Sequence, residues 1–166
     1  MIDDKIICPL HNASFSVENG YPEQGPVLDG LPVFQVEKTF DGKHFVKIPD
    51  PLPGSGQVPK AKQDPTNETH MVIVGGGPAG ISAAETLRQA KFTGKITILS
   101  SEEKLPYDRT ILSKNLIGAD VDKLAMRSQA HLDEFGISFR GKSTVKAIDA
   151  ASQEVVLADN SRVKYD

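Results

Sequence analysis

The chain has 166 residues, of which 39% are hydrophobic and 25% charged, enough to bury the core of one domain or of two small ones. A net charge of −3 without a basic cluster argues against a nucleic-acid partner, no apolar run approaches the length of a membrane span, and the N-terminus lacks a signal-peptide pattern. A single cysteine excludes an internal disulfide and a redox-active cysteine pair, and the expected setting is a reducing, intracellular one, cytoplasmic or mitochondrial.

The first informative stretch is 7–15, Ile-Cys-Pro-Leu-His-Asn-Ala-Ser-Phe. It puts the Cys8 thiol and the His11 imidazole three residues apart on a tight loop, with Asn12 where positive φ is tolerated. A strand at 15–17, a turn at Gly20, Gly25-Pro26 and a strand over 31–36 follow. A hairpin turning at Asp41-Gly42 and returning through 45–48 closes a small β unit over 1–48. The pattern resembles C-P-x-H-x-A-x-F, the second ligand box of a Rieske [2Fe–2S] domain, whose centre takes two Cys on one iron and two His on the other. The resemblance implies that Cys8 and His11 are metal ligands, that 1–48 is the C-terminal half of an all-β Rieske domain, and that Gly25-Pro26 covers the cluster. The family's other ligand box has no match here, and two of four ligands do not hold such a cluster.

Residues 49–69 carry five of the eleven prolines and Gly54-Ser55-Gly56, with no aromatic residue, which predicts an extended tether.

From 70 onward the pattern becomes α/β. A β-branched run at 71–74 leads into Gly75, Gly77 and Gly80 at G-x-G-x-x-G spacing. The first glycine permits the turn, the second lets a pyrophosphate approach the backbone, and the third allows helix and strand to pack closely. Pro78 and Ala79 open a helix whose free N–H groups face the phosphates. The helix continues through Ile81, Ala84 and Leu87 until Gly94 can end it, and a second strand follows at 96–99. Glu102, just past that strand, is placed to accept from a ribose diol. Strand, spacing, helix and acid agree on a dinucleotide site.

Which dinucleotide is implied by the next motif. Pro106-Tyr107-Asp108-Arg109 and Leu112-Ser113-Lys114 resemble the P-Y-x-R-x-x-L-S-K signature of FAD-containing NAD(P)H reductases. That resemblance implies FAD as cofactor, NAD(P)H as substrate, Arg109 on the FAD pyrophosphate, and Lys114 as the catalytic cation beside the flavin N5 edge, on a helix starting at 108–110. Thr110-Ile111 replaces the family's proline-containing pair. A short helix ends at Gly118 after Leu116-Ile117, with Leu124 packed beneath it. Another helix runs from a Ser128 cap to Phe135 and stops at Gly136. A strand begins at 137, and 144–149 fits the family's V-x-x-I-D strand, which implies Val145 against the adenine. A hairpin pairs 155–157 with 163–165 and in the family leads into a flavin-contacting strand. His44, His70 and His131 read as solvated side chains. Residues 70–166 are thus expected to be the N-terminal part of a three-layer, Rossmann-like FAD/NAD(P)-binding domain, and the whole chain an internal piece of a longer protein.

Taken in order, the Rieske box, the tether and the FAD segment resemble the Rieske-containing apoptosis-inducing-factor-like flavoproteins. That family implies hydride transfer from NAD(P)H to FAD, then single electrons to a [2Fe–2S] centre and an unknown acceptor. The alternatives are a redox-controlled signalling protein that binds partners, and a fragment without activity of its own.

Overall fold

A computed structural model describes residues 4–114 and 120–166, in two compact units that divide between Pro59 and Lys60. The expected helix end at 116–118 lies outside the described residues.

In the first unit, β1 (Lys5–Ile7), β2 (Ser14–Ser16) and β3 (Pro22–Gln24) form an antiparallel sheet in that order. β4 (Val36–Lys38) and β5 (His44–Val46) form a separate hairpin, turning at Gly42 with φ +81°. Its buried core is small, centred on Ala13 and Phe15. The loop between β1 and β2 closes on itself. Asn12 N–H donates to the Cys8 carbonyl (3.0 Å), Cys8 N–H donates to the Ala13 carbonyl (2.8 Å), and Asn12 has φ +61°. The strand expected over 31–36 forms only from Val36. Upstream, Leu31 N–H donates to the Gly20 carbonyl and Gly30 pairs with Gly56, so the backbone there joins loops rather than a sheet. Gly20 is required at this junction, because a Cβ would stand 2.2 Å from the Leu31 carbonyl oxygen.

The second unit is built on three parallel strands in the order β6 (His70–Val74), β7 (Lys95–Leu99), β8 (Ile137–Arg140). That order corresponds to one half of a doubly wound sheet. α1 (Pro78–Gln89) connects β6 to β7, and α2 (Gln129–Glu134) precedes β8. β9 (Val145–Asp149), β10 (Glu154–Leu157) and β11 (Arg162–Lys164) follow as an antiparallel meander. Alternation along the strands separates two faces. On one, Leu99 joins Val155, Leu157 and Val163 of the meander in a cluster that Val72 and Val145 flank. On the other, Ile73 lies beneath Gly80 of α1, and Ile81, Ala84, Ile96, Ile98, Leu132 and Ile137 are buried. Helices, sheet and meander give the three layers expected. No helix among the described residues is long and apolar enough to cross a membrane.

α1 stops earlier than Gly94 suggests. Lys91 takes φ +67°, its N–H donates to the Arg88 carbonyl, and Phe92 N–H reaches back to the Leu87 carbonyl, the bonding of a Schellman ending with lysine in the left-handed position. α2 behaves as its caps predict: Ser128 Oγ accepts from His131 N–H, and Gly136 has φ +60°.

Two expectations need correction. Residues 60–69, read as the end of the tether, pack within the second unit. Ala61 N–H donates to the Arg88 carbonyl, which Lys91 N–H also reaches, and Asp64 N–H to the Thr93 carbonyl, both 2.8 Å, so this segment is tied to the end of α1 and the loop after it. Lys60 is buried with it. Nor are the histidines all solvated. His70 Nε2 bonds Thr97 Oγ1 at 2.8 Å, and His131 Nε2 lies 3.1 Å from Oε1 of the buried Glu85, which Lys60 and Arg127 also face. His44 alone of the three is exposed.

Candidate functional site

At the C-terminal ends of β6 and β7 lies a cleft of about 420 Å³, bounded by 74–77, 99–102, Arg109 and 143–145. Ligands of open α/β sheets bind outside the carboxyl ends of the strands, where this cleft opens. Val74 is half exposed there, so β6 ends in the cleft rather than in the core.

The glycines divide into those that hold the fold and those that leave space. A Cβ on Gly80 would stand 2.0 Å from the Gly75 carbonyl oxygen, which gives the close helix–strand approach its physical basis. A Cβ on Gly76 would stand 2.4 Å from both Cβ and Oγ of Ser100. At Gly75 (φ +120°) and Gly77 a Cβ would meet nothing within 4 Å, so the space beside these two is open. Gly77 caps α1 with no side-chain bond, Pro78 brings no N–H to this end, and Gly80 N–H donates to the Gly77 carbonyl at 3.0 Å. An open backbone cradle at a helix N-terminus fits a pyrophosphate, and FAD is consistent with it.

The acidic corner is held from three sides. Ser100 Oγ accepts from Glu102 N–H (3.1 Å), Lys142 N–H donates to the Glu102 carbonyl (3.2 Å), and Ser143 N–H donates to the Ser100 carbonyl (2.7 Å). Gly141 permits this crossing, since a Cβ there would come within 2.8 Å of the Glu103 carbonyl. The Glu102 carboxylate is engaged at both oxygens: Tyr107 Oη donates to Oε2 at 3.0 Å and Arg109 Nη2 pairs with Oε1. The bond to Glu102 pushes the Tyr107 hydroxyl above its ordinary pKa, and burial adds to it. The Arg109 guanidinium lies 5.3 Å from the Tyr107 ring centroid. This segment is fixed as a short ribbon: Tyr107 bridges Ala125, Asp108 N–H donates to the Leu124 carbonyl and Met126 N–H to the Pro106 carbonyl.

Gly75, Gly77, Glu102, Arg109 and Val145 therefore meet around one cleft, with Gly80 behind it. Pro78 occupies the first turn of α1, while Ala79 faces an open side of that helix with Ser82, Ala83 and Thr86, away from the cleft lining. Lys114 does not line the cleft. The helix expected from 108–110 is a single 3₁₀ turn, Arg109–Ile111, capped by Asp108 and followed by a turn in which Lys114 N–H donates to the Ile111 carbonyl. The Thr110 hydroxyl and N–H bond Asp108 and hold its carboxyl below the usual range, so the cap stays charged. Gly76, Ser100, Gly141 and Ser143 contribute without an expected role, as does Tyr107 of the P-Y-x-R match. Gly76 stands visibly within the Gly-Gly-Gly run, but a spacing template passes over it, and no local pattern points to Ser100 or Gly141.

In the first unit, Cys8 is half-buried and His11 exposed on the loop that Asn12 closes. One thiol and one imidazole match half the donor set of a mixed Cys/His [2Fe–2S] centre. Among the described residues no third His, Cys, Asp or Glu joins them, so they do not by themselves fit the whole group.

The family model of the pyridine nucleotide-disulphide oxidoreductases matches residues 69–166. Apoptosis-inducing factor 3 of Mus musculus is 30% identical over 167 aligned positions, covering 97% of this chain and 27% of that protein. Rhodocoxin reductase of Rhodococcus erythropolis is 38% identical over 98 positions, covering 58% of this chain and 23% of that protein. Among solved structures, a chain of the covalent putidaredoxin reductase–putidaredoxin complex superposes with a TM-score of 0.56 at 29% identity, over 61% of this chain and 25% of that one. The chain thus spans about a quarter of the length of the relatives it matches.

Proposed function

The chain belongs to the pyridine nucleotide-disulphide oxidoreductase family, and from that premise we propose that its second unit is the adenylate-side FAD grip of an NAD(P)H-dependent, ferredoxin-reductase-like flavoprotein. One observation carries this reading: the open glycine cradle, the acidic corner and Arg109 converge on one cleft at the strand ends. The glycine-loop N–H groups and Arg109 would hold the pyrophosphate, Glu102 the ribose hydroxyls, and Val145 would border the adenine. FAD when bound supplies hydride acceptance from a nicotinamide and release of single electrons. Lys114, exposed and beyond the cleft, is assigned to the flavin end. There a cation stabilises negative charge developing on reduction, so Lys114→Ala in a flavin-loaded protein lowers the rate of flavin reduction more than FAD content.

Calorimetry with ADP, which carries the half of FAD this cleft is proposed to hold, tests the reading on the 166-residue chain. Saturable one-to-one binding is expected, abolished by Gly77→Val. Binding unaffected by that change removes the basis for the site.

For the first unit, Cys8 and His11 support a Rieske-type ligand loop, one donor for each iron. Alignment with apoptosis-inducing factor 3 across 97% of the chain supports treating this loop and the FAD segment as parts of one architecture. The acceptor of the electrons and the signalling role of an apoptosis-inducing-factor relative stay alternatives at this level. With one cysteine in its sequence the isolated chain is expected to show no stoichiometric iron and no Rieske EPR signal. A cluster in the isolated chain would refute the assignment of its ligands.

A further inference from the structure

Among the described residues Tyr107 is the one neutral donor on the Glu102 carboxylate, and its position is set by backbone rather than by ligand. Pro106 is buried, Tyr107 bridges Ala125, and the flanking bonds Asp108 N–H to Leu124 O (3.0 Å) and Met126 N–H to Pro106 O (2.8 Å) fix its register. Its hydroxyl takes Oε2 of Glu102 at 3.0 Å while Arg109 takes Oε1. Both charged partners are about half exposed, 51% for the Arg109 side chain and 42% for that of Glu102, so their pairing is readily exchanged.

We propose that Tyr107 is a positioning residue for ribose recognition, holding Glu102 toward the cleft while Arg109 exchanges from that carboxylate to phosphate. The proposal rests on the nucleotide reading of the cleft and deepens it. An Arg109 fork fits phosphate oxygens at least as well as a single carboxylate oxygen, so an entering pyrophosphate draws it away. A half-exposed Glu102 then loses its one charged partner among the described residues and would rotate into water unless something retained it. The Tyr107 hydroxyl retains it. Each carboxylate oxygen accepts from two directions, so Oε2 keeps Tyr107 and still accepts from a ribose hydroxyl, while Oε1, vacated by Arg109, takes the other. In the absence of phosphate, the Arg109 guanidinium fills one of the two acceptor directions of Oε1 and competes with ribose for it. The cleft thereby favours a ligand carrying both groups over one carrying only the nucleoside.

This makes a prediction of sign. Affinities of the 166-residue chain for ADP, adenosine and 2′,3′-dideoxyadenosine are measured by ligand-observed NMR titration, with thermal unfolding as a check on folding. Arg109→Gln is expected to weaken ADP binding and to strengthen adenosine binding by about two- to fivefold, the value of an exposed ion pair. Tyr107→Phe is expected to weaken adenosine by roughly ten- to a hundredfold, in line with one hydrogen bond to a charged group, and to leave the dideoxy ligand within about twofold. A merely structural role for Tyr107 would weaken both nucleosides equally, and that result overturns the proposal. So does weaker adenosine binding in Arg109→Gln. Failure of the wild-type chain to bind ADP overturns the nucleotide reading and this inference together, whereas ADP binding without the two ribose-dependent effects removes this inference alone.

Discussion

Replacing Gly80 by alanine separates the structural part of the glycine loop from its binding part. The added methyl would stand 2.0 Å from the Gly75 carbonyl oxygen, about 1 Å closer than the 3.0 Å below which real Cβ atoms essentially never come. The obstacle is backbone, and it is anchored, because Gly75 N–H donates to the Leu99 carbonyl at 2.8 Å. A rotamer change cannot relieve it; the first turn of α1 or the loop must move. Alanine in place of glycine inside a helix gains about 1 kcal/mol, while forcing a methyl into a closed space costs about 1–3 kcal/mol, and here the shortfall puts the cost at the upper end. The net expectation is a loss of about 2 kcal/mol, roughly 10 °C in the melting temperature of a unit of this size. ADP binding should weaken as well, since the displaced atoms include the cradle. Gly77→Thr is the counterpart. Its Cβ meets nothing within 4 Å, and threonine caps a helix about as well as glycine, so stability should hold within about 0.5 kcal/mol while ADP binding is lost. Differential scanning calorimetry and ADP titration on both variants decide the matter. Gly80→Ala as stable as wild type, or Gly77→Thr that still binds ADP, would refute the division of roles.

Arg88 is fully buried and pairs with no carboxylate among the described residues, its guanidinium donating to the carbonyls of Phe135, Phe92, Gly94 and Gly136 at 2.7–3.0 Å. Arg88→Met leaves these acceptors with no side-chain donor and is expected to cost about 3–5 kcal/mol in urea denaturation, with Arg88→Lys recovering only part; unchanged midpoints would contradict the bonding. Glu85 is buried, which by itself raises its pKa, but Arg127, Lys60 and His131 outweigh that and hold it below the ordinary glutamate value. Its stabilisation is therefore present above the ordinary value and lost as pH falls through the lowered one. Wild-type melting temperature should drop more steeply below pH 4.5 than that of Glu85→Gln, and parallel pH profiles would count against the cluster.

Much of the second unit is legible because its signals are local. The Ser128 cap, the Gly136 stop, the strand at 96–99 and the hairpin over 155–165 each depend on neighbouring residues, and the structure reproduces them within a residue or two. What escapes sequence reading is contact across distance. Proline content describes how the backbone at 60–69 enters a segment, but not that its N–H groups bond the carbonyls of Arg88 in α1 and Thr93 beyond it. His131 reads as solvated until α2 sets it against Glu85 of α1. Lys91 ends α1 in a conformation that favours glycine, so the sequence's stop signal, Gly94, lies three residues beyond the helix end. Gly94 answers to packing instead: a Cβ there would stand 2.4 Å from the Thr69 carbonyl. In the candidate site the spacing locates the glycines and Glu102, but part of what holds the Glu102 corner, Gly141 to Ser143, comes from the loop after β8, far along the chain.

That distribution bears on how the cleft would bind. The backbone of the acidic corner is tied to Ser100, Lys142 and Ser143, and the glycine loop is tied to β7 and α1. Both surfaces are set before a ligand arrives, and what must rearrange is confined to side chains, chiefly Arg109. Ordering a side chain costs about 0.5–1.5 kcal/mol, well below the cost of folding a loop around a cofactor. Small changes in the ties should therefore reach affinity without touching the ligand. Gly141→Ala is such a change, because its methyl would press on the Glu103 carbonyl at 2.8 Å and on that of Glu102 at 3.0 Å, moving the carboxylate corner as a whole. It is expected to weaken ribose-bearing ligands selectively, leaving the phosphate cradle of Gly75 and Gly77 in place. Equal loss of affinity for ADP and for inorganic pyrophosphate would show instead that the corner and the cradle move as one body.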